Sequence, residues 1–205
     1  MKKLILASAS PRRRELLEQI GLKPEVIVGK TDESTGIPEP AAMVTELAHR
    51  KCLAVADYLT EEADICTEQY VLGADTVVVH NGQILGKPQN TDEAEQMLRS
   101  LQGDTHQVFT GVCILHLDCC EKAPSEDNVH MRLFHVCTDV TVNSMTEEEI
   151  RLYADTGEPL DKAGAYGIQG KFARHIRRIC GDYTNVVGLP VSAVYDALCE
   201  LHFYQ

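Results

Sequence analysis

The chain has 205 residues, 44% of them apolar and 24% charged, and a formal net charge of −12. That is enough for one domain with a sizeable core, and the composition is that of an ordinary globular protein. So acidic a balance argues against nucleic-acid binding through general electrostatics, and no apolar run is long enough for a secretory leader or a membrane span. The expectation is a cytoplasmic protein.

Strand and helix signals alternate, which points to the α/β class. Leu4–Ala7 reads as a buried strand. Pro11 to Gly21 reads as a helix, with Ser10 as N-cap, Pro11 at the first helical position and Gly21 as the stop. Arg12, Arg13 and Arg14 stand at its start, where the helix dipole is positive and free N–H groups point outward. A bound phosphate would relieve that repulsion, and a solvated basic turn fits the local sequence equally well.

Residues 25–29 form a short strand, and 40–60 a long amphipathic helix with Met43, Leu47, Ala54 and Leu59 on or near its apolar face. Val71–His80 is a strand interrupted by Asp75-Thr76. Asn81-Gly82 is a hairpin signal. Residues 91–102 make a helix closed by Gly103. Val108–Leu117 and Phe134–Asn143 are further strands, paired antiparallel, with a polar hairpin connection over Asp118–Arg132. Thr146–Glu149 matches a capping box opening a helix to about Thr156, and Pro190 marks the start of a final helix.

The eight cysteines include no C-x-x-C pair and read as reduced thiols. Cys119-Cys120 is a vicinal pair in a loop, with spacing wrong for zinc.

An aspartate inside an apolar strand is costly to bury unless paired, hydrogen-bonded or on a metal. Asp75 within GADTVVV therefore reads as functional, against the alternative of a strand-end turn. Asp32-Glu33 and Asp75 together offer the hard oxygen ligands suited to magnesium or manganese. Lys51 and Lys87 can neutralise phosphate, although for a lone lysine a plain surface charge is the favoured local reading. Gly164, Gly167 and Gly170 recur at a spacing unlike the dinucleotide fingerprint, in a loop whose Asp161, Lys162 and Gln169 can meet a base or phosphate.

LILASASPRRRELL, Asp32-Glu33, Lys51, LGADTVV, LGKP, TEEEIRLYADTGEPLDKAGAYGIQG and NVVGLP together resemble the Maf family of nucleoside triphosphate pyrophosphatases, in the family's order and over nearly the whole chain. KFARHIRR after Gly170 lacks glycines common there, and the 118–132 loop is longer than usual. The resemblance implies a single domain with a curved mixed β-sheet, flanking helices and two lobes around a deep cleft, related to the inosine triphosphate pyrophosphatases. It implies cleavage between the α- and β-phosphates and a divalent cofactor, Mg2+ or Mn2+. Asp75 is then the catalytic carboxylate and, with Glu33, a metal ligand. Ser8, Arg12, Arg13, Lys51 and Lys87 grip the triphosphate, and the two lysines count with Asp75 as catalytic.

Arg12, Thr76 and Gln169 resemble the subgroup acting on dTTP and UTP more than the 7-methyl-GTP subgroup, which carries tryptophan in place of Arg12. Asp161 and Lys162 are further substrate-binding candidates. A homodimer is also implied. The competing expectation is a nucleotide-binding regulator of cell division with weak hydrolysis.

Overall fold

The computed structural model describes residues 2–62, 68–117 and 130–204. In chain order the elements are β1 (Lys3–Leu6), α1 (Pro11–Gln19), β2 (Glu25–Val26), α2 (Pro40–Glu62), β3 (Gln69–His80), β4 (Gln83–Leu85), α3 (Thr91–Leu101), β5 (Thr105–Leu117), β6 (His130–Val142), α4 (Glu147–Ala154), β7 (Ile176–Cys180), α5 (Tyr183–Val187) and α6 (Val191–Glu200). The strands form one mixed sheet in the order β2-β1-β3-β5-β6-β7, with β4 beside β3. β1 runs parallel to β2 and β3, while β3/β4 and β6/β7 are antiparallel. This is the α/β class that the alternating signals predict, with the mixed sheet and flanking helices that the family resemblance implies.

The chain divides into two compact units. Met1–Asp75, Thr110–His135 and Gly188–Gln205 form the first, and Thr76–Phe109 and Val136–Val187 the second. In the first, α2 lies on the sheet. Val44, Leu47, Ala48, Cys52, Val55, Ala56 and Leu59 recur at helical spacing and are buried. Ala48, Cys52, Val55, Ala56 and Leu59 share a core with Ile5, Ala7, Val71, Cys113 and Leu115. Of the four residues expected on this face, Leu47 and Leu59 are buried, and Met43 and Ala54 are half-buried.

Two glycines set how closely α2 approaches. A Cβ on Gly73 of β3 would lie 2.6 Å from the Ala48 carbonyl oxygen and 2.9 Å from Cys52 Sγ. A Cβ on Gly111 of β5 would lie 2.3 Å from the Val44 carbonyl carbon. Both obstacles include backbone, which cannot rotate away. The Cys52 thiol spans the strands below, 3.3 Å from the Val71 carbonyl oxygen and 3.2 Å from that of Cys113.

In the second unit, Asn81 and Gly82 both have positive φ, and His80 pairs with Gln83 across the turn, as the hairpin signal requires. Asn90 caps α3 by accepting from Glu93 N–H, and Gly103 closes it at φ +71°. Thr146 and Glu149 form the full capping box. α3 and α4 bury Ala94, Leu98 and Leu101, and Ile150, Tyr153 and Ala154.

Three expectations need correction. Asp75-Thr76 does not interrupt its strand, because β3 runs unbroken from Gln69 to His80. The strand at 25–29 shortens to Glu25–Val26, since Gly29 turns in against Ala54 of α2, where a Cβ would lie 2.8 Å from the alanine Cβ. β6 begins at His130, so the connection ends earlier than Arg132. Cys119-Cys120 and most of that connection lie outside the described residues. β7 and α5 had no clear sequence signal. A register shift between Thr141 and Val142 disturbs β7's pairing with β6 and blurs its alternation.

Gly111→Ala should destabilise the protein by about 3 kcal/mol or more, at the upper end of overpacking, because helix backbone must retreat. Urea unfolding of the purified variant measures this, and a loss below about 1 kcal/mol would contradict the crossing geometry.

Candidate active site

Side chains alternate across a strand, so Val71, Gly73 and Asp75 share the face of β3 beneath α2. Gly73 admits the helix at Ala48 and Cys52, and Lys51, on the same turn, reaches Asp75. The Lys51 ammonium lies 2.6 Å from Asp75 Oδ1 and 2.9 Å from Glu33 Oε1. The Lys51 and Asp75 side chains are each only 15% exposed, whereas Glu33 is 61% exposed. The half-buried aspartate thus has its charge partner, and the strand-end alternative falls.

Glu33 is delivered by a loop held on α2. The Arg50 guanidinium donates from Nη1 to the Asp32 and Ser34 carbonyl oxygens at 3.3 and 3.1 Å. Asp32 Oδ1 accepts from the Ser34 N–H and hydroxyl at 2.9 and 2.6 Å, and these bonds pull its carboxyl below the ordinary range. Asp32 therefore spends its side chain on the turn, and Glu33 alone of the acidic pair joins Asp75. Among the described residues no cluster of three or more His, Cys, Asp or Glu side chains is placed to hold a metal. Two carboxylates converging on one cation still provide the hard oxygen chemistry magnesium uses when substrate phosphates and water complete its shell.

At the start of α1, Ser10 occupies the N-cap position without a side-chain cap. Ser8 organises the turn instead, its hydroxyl oxygen accepting from Ser10 N–H at 3.3 Å and from Arg13 Nη1 at 3.0 Å. Arg13 Nε donates to the Gly188 carbonyl oxygen at 2.8 Å, tying the first helix to the approach to α6. Burial lowers the Arg13 pKa, and the charges of Asp75 and Glu33 act the other way. Arg13 is thus buried, Arg12 half-buried and Arg14 exposed and paired with Glu18 at 2.7 Å. A uniformly solvated basic turn does not describe this helix start.

The other candidates belong to the second unit. Thr76 is half-buried, and Lys87, Asp161 and Gln169 are exposed. Lys162 lies across Gly167, pairs with Asp161 at 2.5 Å and donates to the Glu158 carbonyl oxygen at 2.7 Å. Two residues without an expected role organise this loop. The Tyr153 hydroxyl donates to Glu158 Oε1 at 2.9 Å and accepts from Gly167 N–H at 3.1 Å. Glu158 also accepts from Lys171 N–H at 3.1 Å, and its carboxylate fills the space a Cβ on Gly170 would need. The spacing of Tyr153, Glu158, Gly167 and Gly170 in the sequence gave no separate signal for this clasp. Asn185, in NVVGLP, is fully buried and donates to the Val108 carbonyl oxygen and to Thr138 Oγ1, both at 3.0 Å.

Residues 3–201 match the family model described as "Maf-like protein". The chain belongs to the Maf family. Its relatives include a protein of Agathobacter rectalis, 47% identical over 98% of both chains, and one of Pelotomaculum thermopropionicum, 47% identical over 97% of this chain and 96% of the other. One of Geobacillus sp. is 49% identical over 94% of each. All three are named dTTP/UTP pyrophosphatase. Among the described residues no helix of this Maf protein is long and apolar enough to cross a membrane.

His106 Nε2 lies 2.7 Å from the Tyr166 hydroxyl in the glycine-rich segment, while its buried Nδ1 has no partner. Burial drives its pKa from 6.5 to about 4 and raises that of Tyr166. The folded state therefore favours neutral His106, while the unfolded chain takes up a proton first as pH falls. This contribution is fully present above pH 6.5 and is lost as pH falls towards about 4. It amounts to about 3 kcal/mol at most. Unfolding measured at pH 7 and pH 4.5 should show a smaller acid loss for His106→Phe than for the parent, and equal losses would refute the assignment.

Proposed function

We propose that this protein hydrolyses nucleoside triphosphates to the monophosphate and pyrophosphate, with dTTP and UTP preferred. The observation that carries the reading is the convergence of Asp75 and Glu33 on one cation, in a chain 47% identical to a dTTP/UTP pyrophosphatase over 98% of both lengths. Attack of water on a phosphoryl group needs a carboxylate to position the water and cations to offset developing charge. Asp75 is suited to the first role, fixed mid-strand in β3 beneath α2. Glu33 and Asp75 are the residues that would hold magnesium or manganese, which when bound supplies charge neutralisation at the phosphates. The same reading assigns phosphate contacts to Ser8, Arg12, Arg13 and Lys87, and base contacts to Thr76 and Gln169. The net charge of −12 favours a small-molecule substrate over nucleic acid.

Asp75→Asn keeps the shape and removes the charge. Turnover should fall by about a hundredfold or more, as for loss of a general base, with the variant still folded by circular dichroism. Near-parental turnover would remove Asp75 from the mechanism.

Catalytic efficiency should be highest for dTTP or UTP across a panel of dTTP, UTP, CTP, ATP, GTP and 7-methyl-GTP under one metal condition. Polar side chains facing a base discriminate strongly when a wrong base leaves them unpaired. A purine in first place would overturn the base preference, and no pyrophosphate from any of the six would overturn the hydrolase reading.

A further inference from the structure

We propose that Lys51 is an internal surrogate for the divalent cation. In the metal-free protein its ammonium occupies the position between Glu33 and Asp75, and metal binding displaces it from that pair. The inference rests on the proposed pyrophosphatase reading, and it concerns how this chain's own residues hold the site before substrate arrives.

The geometry carries it. One nitrogen lies 2.6 Å from Asp75 Oδ1 and 2.9 Å from Glu33 Oε1, so both carboxylates already point at a single cation position. Asp75 sits mid-strand and α2 is seated against Gly73 and Gly111, so neither backbone can shift readily. The Glu33 loop is held by Arg50 and by the Asp32–Ser34 turn. Among these groups the Lys51 stem has the most rotatable bonds. A half-buried carboxylate without a cation is costly, and the ammonium removes that cost in the metal-free protein. A metal ion entering between the same oxygens must evict the ammonium, because two cations cannot share that position. Apparent metal affinity is therefore reduced by the fraction of molecules in which Lys51 fills it. The displaced ammonium keeps its charge and becomes available to an anionic ligand such as a phosphate.

The test measures binding without substrate. Free Mn2+ is followed by electron paramagnetic resonance during titration of the full chain and of Lys51→Met, whose stem is of similar length without the charge. The variant should bind Mn2+ about tenfold or more tightly, even though its hydrolysis is impaired. Equal or weaker binding would overturn the proposal. Thermal unfolding with and without Mn2+ provides a second readout, because the metal replaces the Lys51 ammonium in the parent and adds a cation at Glu33 and Asp75 in the variant. The metal-induced rise in Tm should be larger in the variant, and a larger rise in the parent would overturn the idea. If Lys51→Met does not fold, Lys51→Gln takes its place with the same expected directions. Failure of the hydrolase reading is separate, since it appears as absence of pyrophosphate from the nucleotide panel whatever the Mn2+ titrations give.

Discussion

The close crossing of α2 over β3 and β5 is the constraint from which the site follows. A side chain at Gly73 or Gly111 would meet the helix backbone, so both strands present bare backbone where α2 lies. The approach lets Cys52 reach the Val71 and Cys113 carbonyls, and it brings Lys51 over the strand position two beyond Gly73. Had the helix stood off by the usual width of a side chain, the Lys51 ammonium would need a different partner. The core residues around the crossing are small as well as apolar, with Ala48, Cys52 and Ala56 on the helix side.

Charge is placed in this apolar setting with compensation at each step. Asp75 is half-buried and paired, and Glu33 shares the same ammonium. Arg13 is buried, and it donates to Ser8 and the Gly188 carbonyl while the charges of Asp75 and Glu33 oppose the effect of burial in part. Low local dielectric makes each of these contacts stronger and each unpaired group more costly. The same logic operates in the second unit, where Tyr153 and Glu158 satisfy the backbone of a segment that glycine would otherwise leave loose. Glycine there supplies room for Glu158 and Lys162 to fold back over the chain.

Legibility in the sequence followed the range of the interaction. The Asn81-Gly82 turn, the Asn90 cap and the Thr146–Glu149 box were set by residues a few positions apart and folded as their chemistry requires. Ser10 at the start of α1 looked like an equally ordinary cap, yet its side chain makes no cap bond, while the Ser8 hydroxyl before it accepts from Ser10 N–H and from Arg13. Asp75-Thr76 looked like a break in β3 because the partner that makes an aspartate tolerable there lies on another element. Local chemistry did not separate Asp32 from Glu33, and only the family resemblance singled out Glu33; in the structure the Ser34 turn takes the Asp32 carboxylate. The Maf motifs themselves were legible as ordered segments along nearly the whole chain.

By itself the sequence determined the α/β class, most element positions and the family, because hydrophobic period, cap chemistry, turn residues and motif order are local properties of the chain. It also singled out Asp75 as an aspartate in an apolar strand. Only the tertiary structure decided what that aspartate meets, how the Asp32 side chain is used, and which of three consecutive arginines is buried. The first and last of those outcomes depend on contacts between residues distant in sequence, such as Arg13 with Gly188 and Lys51 with Asp75. For Lys51 and Asp75 the contact depends on how closely α2 packs on the strands, and that closeness is allowed by the absence of a side chain at Gly73 and Gly111 rather than by either residue's own chemistry.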